Sequence, residues 1–176
     1  REPLTAGAAR ATAYDFRFVP RRTADDLLEL VPGVTLVQHG SEGKGQQLFV
    51  RGFDAGHGAD FELSVQGIPI NEWSNIHAQG YLDLGFVIPE VVSSVDVTKG
   101  PFSIDQGPFA MAGSAAYTLS VPHTELGGRA TLTLGSTNRR RLLATYSPKA
   151  GDGTSFIAAE LLHDDGFGQN RGIDRG

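Results

Sequence analysis

Hydrophobic patterns along this chain are short, and they change period several times. Residues 13–19 alternate apolar and polar side chains over one brief stretch, which predicts a single short strand. Thr23 then stands as an N-cap ahead of Asp25 and Asp26, acids placed where a helix dipole favours them. Leu27, Leu28, Leu30 and Val31 supply an apolar face and Pro32-Gly33 stops the run, so a helix is predicted over 23–31. From Val34 the period falls to two, with Val34 and Leu36 on one side and Thr35 and Val37 on the other. Leu48-Phe49-Val50-Arg51 reads as a second strand broken at Gly52, and 61–65 as a third, ended by Gly67 and Pro69. Val91, Val92, Val95 and Val97 make a fourth, closed by Gly100-Pro101, and 115–121 is a last extended piece. Polar, glycine-bearing loops over 39–45 and 54–60, and an irregular stretch over 71–80, separate them.

The character shifts near residue 126. Residues 129–134 alternate cleanly, 141–146 do so again, and 154–163 form a run of similar length. Residues 135–138 and 148–153 supply the turns between them. Segments of about ten residues joined by such turns are the period of a transmembrane β-barrel. A three-stranded soluble meander fits this stretch equally well. In a membrane hairpin, Ala130, Leu132 and Leu134 would face lipid, and Arg129, Thr131 and Thr133 the lumen.

Composition narrows the function classes. A net charge of -5 argues against a phosphate-coating basic protein. With 40% hydrophobic residues the chain is not disordered as a whole, and without cysteine it has no thiol chemistry or disulfides. Twenty-three glycines in 176 residues exceed the average of about 7% and point to many tight turns. No apolar window is long enough for a membrane-spanning helix. With no basic-then-apolar start and no initiator Met, the sequence reads as a mature or excised chain rather than a precursor.

Candidate chemistry is sparse. Gly40-Ser41-Glu42-Gly43-Lys44-Gly45 lacks the P-loop spacing and the Ser or Thr after its Lys, so it reads as a flexible loop. No nucleophile elbow is present. The acid pairs Asp25-Asp26 and Asp164-Asp165 are adjacent, so their side chains diverge, and they read as solvated surface. His57 and His77 fall in two glycine-rich loops with Asp54, Asp60 and Glu72, and could converge on a metal or an anionic ligand. Their spacing holds no i, i+4 pair, so solvent-facing or packing histidines are the plainer reading. Trp73 lies beside Asn71, Asn75, Gln79 and Tyr81, an aromatic-and-amide cluster suited to a small-molecule surface or to simple burial. Arg51 inside an apolar strand end and Lys99 before a Gly-Pro stop are long cations whose acidic partners are not evident in the chain.

Five segments in order carry a resemblance. They are Asp25-Asp26-Leu27-Leu28 through Val31-Pro32-Gly33-Val34, then Leu48-Phe49-Val50-Arg51-Gly52-Phe53, then Leu63-Ser64-Val65-Gln66-Gly67-Ile68-Pro69-Ile70. Val95-Asp96-Val97-Thr98-Lys99-Gly100-Pro101 follows, with a Gly- and Ala-rich segment ending at Ser114-Ala115-Ala116. Together, over roughly 10–121, they resemble the plug of bacterial TonB-dependent outer-membrane receptors. Gln66 departs from the Asp usual there. His57-Gly58-Ala59-Asp60 and His77-Ala78-Gln79-Gly80-Tyr81-Leu82-Asp83 resemble stretches of one subgroup.

The resemblance implies an α+β plug, a small mixed β-sheet with short helices, over 1–125. The first antiparallel strands of a larger, 22-stranded transmembrane β-barrel would follow over 126–176. It implies a non-enzymatic receptor, without cofactor, that binds a scarce solute such as a siderophore or metal chelate and gates its energised uptake into the periplasm. The implied partners are TonB and its inner-membrane motor, the remainder of the β-barrel, the ligand and outer-membrane lipid, with no nucleic acid. The loops facing outward in that family are here 39–46, 54–60 and 71–80. Their ligand-facing candidates are His57, Asp60, Trp73, Asn75, His77, Gln79 and Tyr81. Arg51 and Lys99 resemble the basic plug residues that pair with acids of the barrel wall. The segment recognised by TonB lies upstream of the plug in that family, and nothing before Arg10 matches it. Two other readings stay open: a signalling or docking receptor without transport, and a free periplasmic plug-like binding module.

Overall fold

The computed structural model describes residues 7–39 and 44–176; the polar loop at 40–43 and the first six residues lie outside the described residues. The described residues form two compact units, one of residues 7–39 and Gly45–Leu119, the other of Lys44 and Ser120–Gly176.

The first unit opens with strand β1 (Ala8–Thr12) and a one-turn helix α1 (Ala13–Phe16). The alternation over 13–19 is thus not a strand, and a local contact decides it. The Asp15 carboxylate accepts the Thr12 N–H at 2.8 Å and the Thr12 hydroxyl at 2.9 Å, a reach across three residues that requires a turn. These bonds hold the Asp15 carboxyl below its ordinary pKa. The helix expected over 23–31 is a tighter 3-10 helix, Asp25–Leu30, that sends Leu27 and Leu28 into the core. Thr23 does not cap it: Ala24 holds the N-cap position, and the Asp26 carboxylate accepts the N–H groups of Arg22 and Thr23 instead. Asp25 is not the solvated residue its neighbourhood suggested. It is half-buried, and loss of water followed by the charge of Asp83 pushes its carboxyl up to about 7.

Strands β2 (Val34–Val37), β3 (Gln47–Val50) and β4 (Phe53–Asp54) make a three-stranded antiparallel sheet in that order. Arg51 leaves the strand: with Gly52 it forms the two-residue turn between paired Val50 and Phe53, at φ 52° and 82°. Such hairpins need the left-handed region at both central positions. Strands β5 (Phe61–Val65), β6 (Ile68–Pro69), β7 (Val92–Lys99) and β8 (Gly113–Leu119) join β1 in a second sheet of order β1-β7-β8-β5-β6. Only β5 and β8 run parallel. Register aligns Ala11, Val95, Tyr117 and Val65 in one row and Ala9, Val97, Ala115 and Leu63 in the next. These rows build the core face, packed by Phe16, Leu27, Leu28 and Val31. Tyr117, fully buried, donates its hydroxyl to Ala24 O at 3.0 Å; burial, then the charges of Asp25 and Asp26, hold it well above its ordinary pKa. Val91 belongs to a 3-10 turn, Pro89–Val91, ahead of β7.

Gln66 and Gly67 repeat the two-residue turn between β5 and β6, at φ 52° and 78°. The Gln66 amide donates to Leu119 O at 3.2 Å and accepts Leu119 N–H at 3.3 Å. An ionised Asp, the residue usual at this position in the resembling family, could only accept.

The second unit is an antiparallel meander of β9 (Gly127–Leu134), β10 (Arg140–Ser147), β11 (Ile157–Asp164) and β12 (Ile173–Arg175), in an open order β12-β11-β10-β9 that does not close on itself. The third strand starts at Ile157 because Asp152 accepts the Thr154 N–H at 2.9 Å and hydroxyl at 2.6 Å, holding that segment in a turn. The fourth strand is too short for alternation to reveal. Pairing aligns Leu132, Leu142 and Leu161 on one face, then Ala130, Ala144 and Ala159, and Tyr146 with Ile157. Leu132, Leu134, Leu142, Tyr146, Ile157 and Leu161 are all exposed. The opposite face mixes buried Leu143 and Leu162 with ion pairs: Glu160 pairs with Arg141 and, at 2.6 Å, with Arg175. Asp164, expected on a solvated surface, is buried between Thr137 and Arg139 at 2.6 and 2.7 Å.

Candidate functional site

The loops after β4 and β6 are brought together by one buried side chain. Asn71 accepts the Leu63 N–H at 2.8 Å and donates to the carbonyls of Phe61, Gly58 and Gly80 at 2.9, 3.0 and 3.0 Å. Leu82 N–H adds a bond to His57 O at 2.8 Å, and Glu72 and Tyr81 form an antiparallel bridge. The loop over 54–60 is thereby stitched along both arms of the loop over 71–80.

Three of the expected ligand-facing residues converge. The His57 and His77 rings lie 4.6 Å apart, centre to centre, and Tyr81 is 6.1 Å from the first and 5.6 Å from the second. His39, which sequence reasoning did not single out, joins them with its ring 5.8 Å from His57. No spacing signal could have found it, because His39, His57 and His77 meet only through tertiary structure. Gly45 anchors the cluster from below. Its N–H donates to the Tyr81 hydroxyl at 2.7 Å, and its carbonyl faces His57 Nδ1 at 2.8 Å. A side chain at Gly45 would place Cβ 2.2 Å from Leu82 O, so only glycine allows this approach.

The other candidates are dispersed. Trp73 is exposed and meets Phe109 edge-on, with ring centres 5.3 Å apart. Asn75 shapes its own loop, donating to Glu72 at 2.7 Å and accepting the His77 N–H at 2.8 Å. Asp60 is half-buried and uses its carbonyl to accept Ala112 N–H at 2.8 Å, while Gln79 is exposed. Lys99 has a partner that the sequence did not reveal: its buried ammonium donates to Pro32 O at 3.0 Å. Arg51 is exposed on its turn. Among the described residues no group of three His, Cys, Asp or Glu side chains is arranged to hold a metal ion as it stands.

The TonB-dependent receptor plug domain matches residues 5–114, most of the chain. The chain belongs to this family. TonB-dependent receptors are outer-membrane proteins and not enzymes. The vitamin B12 transporter BtuB of Vibrio vulnificus (strain CMCP6) is 25% identical over 170 residues, covering 94% of this chain and 27% of that protein. The FrpB iron transporter from Neisseria meningitidis shares the fold at a TM-score of 0.66 and 18% identity, over 90% of this chain and 24% of that one. The copper transporter OprC does so at 0.61 and 20%, over 97% and 25%. The siderophore receptor PirA from Pseudomonas aeruginosa does so at 0.60 and 20%, over 93% and 30%. The chain thus spans about a quarter of the length of the relatives it matches.

Proposed function

We propose that this plug gates the energised uptake of a scarce solute, such as a siderophore or metal chelate, across the outer membrane. Residues 1–125 form the plug and 126–176 the first strands of the barrel. Solute is captured at the loops over 39–46, 54–60 and 71–80, and TonB, driven by its inner-membrane motor, then pulls the plug to open a path. Arg51, exposed on its turn, and Lys99, with donor capacity beyond Pro32, pair with acids of the barrel wall. The observation that carries the binding role is the convergence of His57, His77 and Tyr81, drawn from two loops, on one surface patch. The exposed leucine row of β9–β11 supports a lipid setting over a free periplasmic module, because contiguous apolar faces are avoided on soluble monomers.

Radiolabelled uptake tests the reading. A strain lacking the receptor and a strain lacking TonB are each offered ferric siderophores, cobalamin, and copper and nickel chelates. Loss of accumulation of the same solute in both strains is expected. Accumulation that depends on the receptor but not on TonB would overturn energised gating and favour a passive or signalling receptor.

A further inference from the structure

We infer that His57 and His77 are a two-imidazole docking site for a divalent transition metal presented in a chelate with open coordination positions. The inference rests on the ligand-facing reading of these loops and names the chemistry that they select. Two imidazoles bound side by side to one ion, at metal–nitrogen distances of about 2.0–2.1 Å, place their ring centres roughly 4.5–5 Å apart. The observed 4.6 Å falls within that range.

The tautomer is set for it as well. His57 Nδ1 faces a carbonyl, Gly45 O, which can only accept, so Nδ1 carries the hydrogen and Nε2 keeps its lone pair. A backbone carbonyl holding the far nitrogen is the usual outer support of a ligating histidine. Here that support is rigid, because Gly45 is pinned by Tyr81 and admits no side chain. His39 stands next to His57 as a third imidazole, but no triad is assembled to hold an ion as the side chains stand. Two protein donors bind a bare ion weakly, whereas an ion carrying its own four-donor chelator needs two more ligands. On docking, two waters leave the metal and two imidazole nitrogens replace them; nothing is oxidised or reduced. Imidazole donors suit copper, nickel and zinc.

The test uses the full-length receptor in detergent, without a polyhistidine tag. Nickel nitrilotriacetate leaves two positions open and nickel EDTA leaves none, so calorimetric titration should show binding of the first and not the second. His57→Ala and His77→Ala should each weaken binding about tenfold or more, and His163→Ala should leave it unchanged. With copper nitrilotriacetate, electron paramagnetic resonance should show imidazole nitrogen couplings that either variant removes. No binding of nickel nitrilotriacetate, equal binding of nickel EDTA, or affinity indifferent to both variants would each overturn the site. Bare nickel chloride binding ten times more tightly than the chelate would show further protein ligands and overturn the two-donor arrangement. These readouts are independent of TonB-dependent uptake, so the site can fail while the transport reading stands, and the reverse.

Discussion

Replacing Asn71 tests whether one buried amide organises the ligand-facing loops. Its side chain makes one bond as acceptor and three as donor, at 2.8–3.0 Å, and the residue is 6% exposed. Asn71→Ala strands the Leu63 N–H and the carbonyls of Phe61, Gly58 and Gly80, with little room for water to replace the amide. Each buried polar group left unpaired costs about 1–3 kcal/mol. With partial relaxation of the loops that carry Gly58 and Gly80, a local loss of about 2–4 kcal/mol is expected. At about 1.4 kcal/mol per tenfold, that corresponds to a fall in hydrogen-exchange protection of roughly 30- to 1000-fold. Exchange measured by mass spectrometry on the full-length receptor should show it in peptides covering 56–63 and 78–83, while β7 and β10 keep their protection. Asn71→Asp separates bonding from shape. It preserves volume and the bond to Leu63, but sets a carboxylate against three carbonyls, so its loss should equal or exceed that of Ala. Unchanged protection in either variant would refute the organising role of this residue, and so would uniform loss across both units.

Other consequences follow from single contacts. Asp25 has a folded-state pKa of about 7 against an ordinary 3.8, so the folded state is penalised as pH rises from about 4 and the penalty is complete above about 7. Asp25→Asn should therefore protect the peptides around 24–31 by up to about 4 kcal/mol at pH 8 and by little near pH 4, after correction for intrinsic exchange; a gain independent of pH would contradict the assigned cause. Gly45→Ala drives a methyl into Leu82 O and should withdraw the carbonyl from His57, seen as a changed imidazole nitrogen shift by NMR with the β5 and β7 amides unaffected. Leu132→Arg places a charge on the exposed leucine row and should cost up to about 2–4 kcal/mol in folding into lipid, while Thr131→Arg on the opposite face should cost much less; equal effects would reverse the assignment of faces.

The chain's own order of residues determined its strands wherever a period of two runs between glycine or proline stops, as in 34–37, 61–65, 129–134 and 141–146. In such segments one backbone conformation satisfies both the alternation and the turn at its end, so little distant information is needed. Local reading failed where a side chain three residues away outbid the pattern, as Asp15 does for Thr12 and Asp26 for Thr23. It failed again at Arg51, where hairpin geometry demands a left-handed backbone that an apolar run does not announce. Membership of the plug family was legible because short motifs keep their order along the chain. The site was legible only as composition: histidines, a tyrosine and amides in glycine-rich loops. Tertiary structure alone decided which of them meet. Asn71 draws Gly58 to Gly80 and Gly45 admits the His57 ring, bonds across 9 to 36 positions that no periodicity encodes. It likewise decided that Asp25 lies beside Asp83 and away from water, since the charge a carboxylate can hold depends on what folds against it.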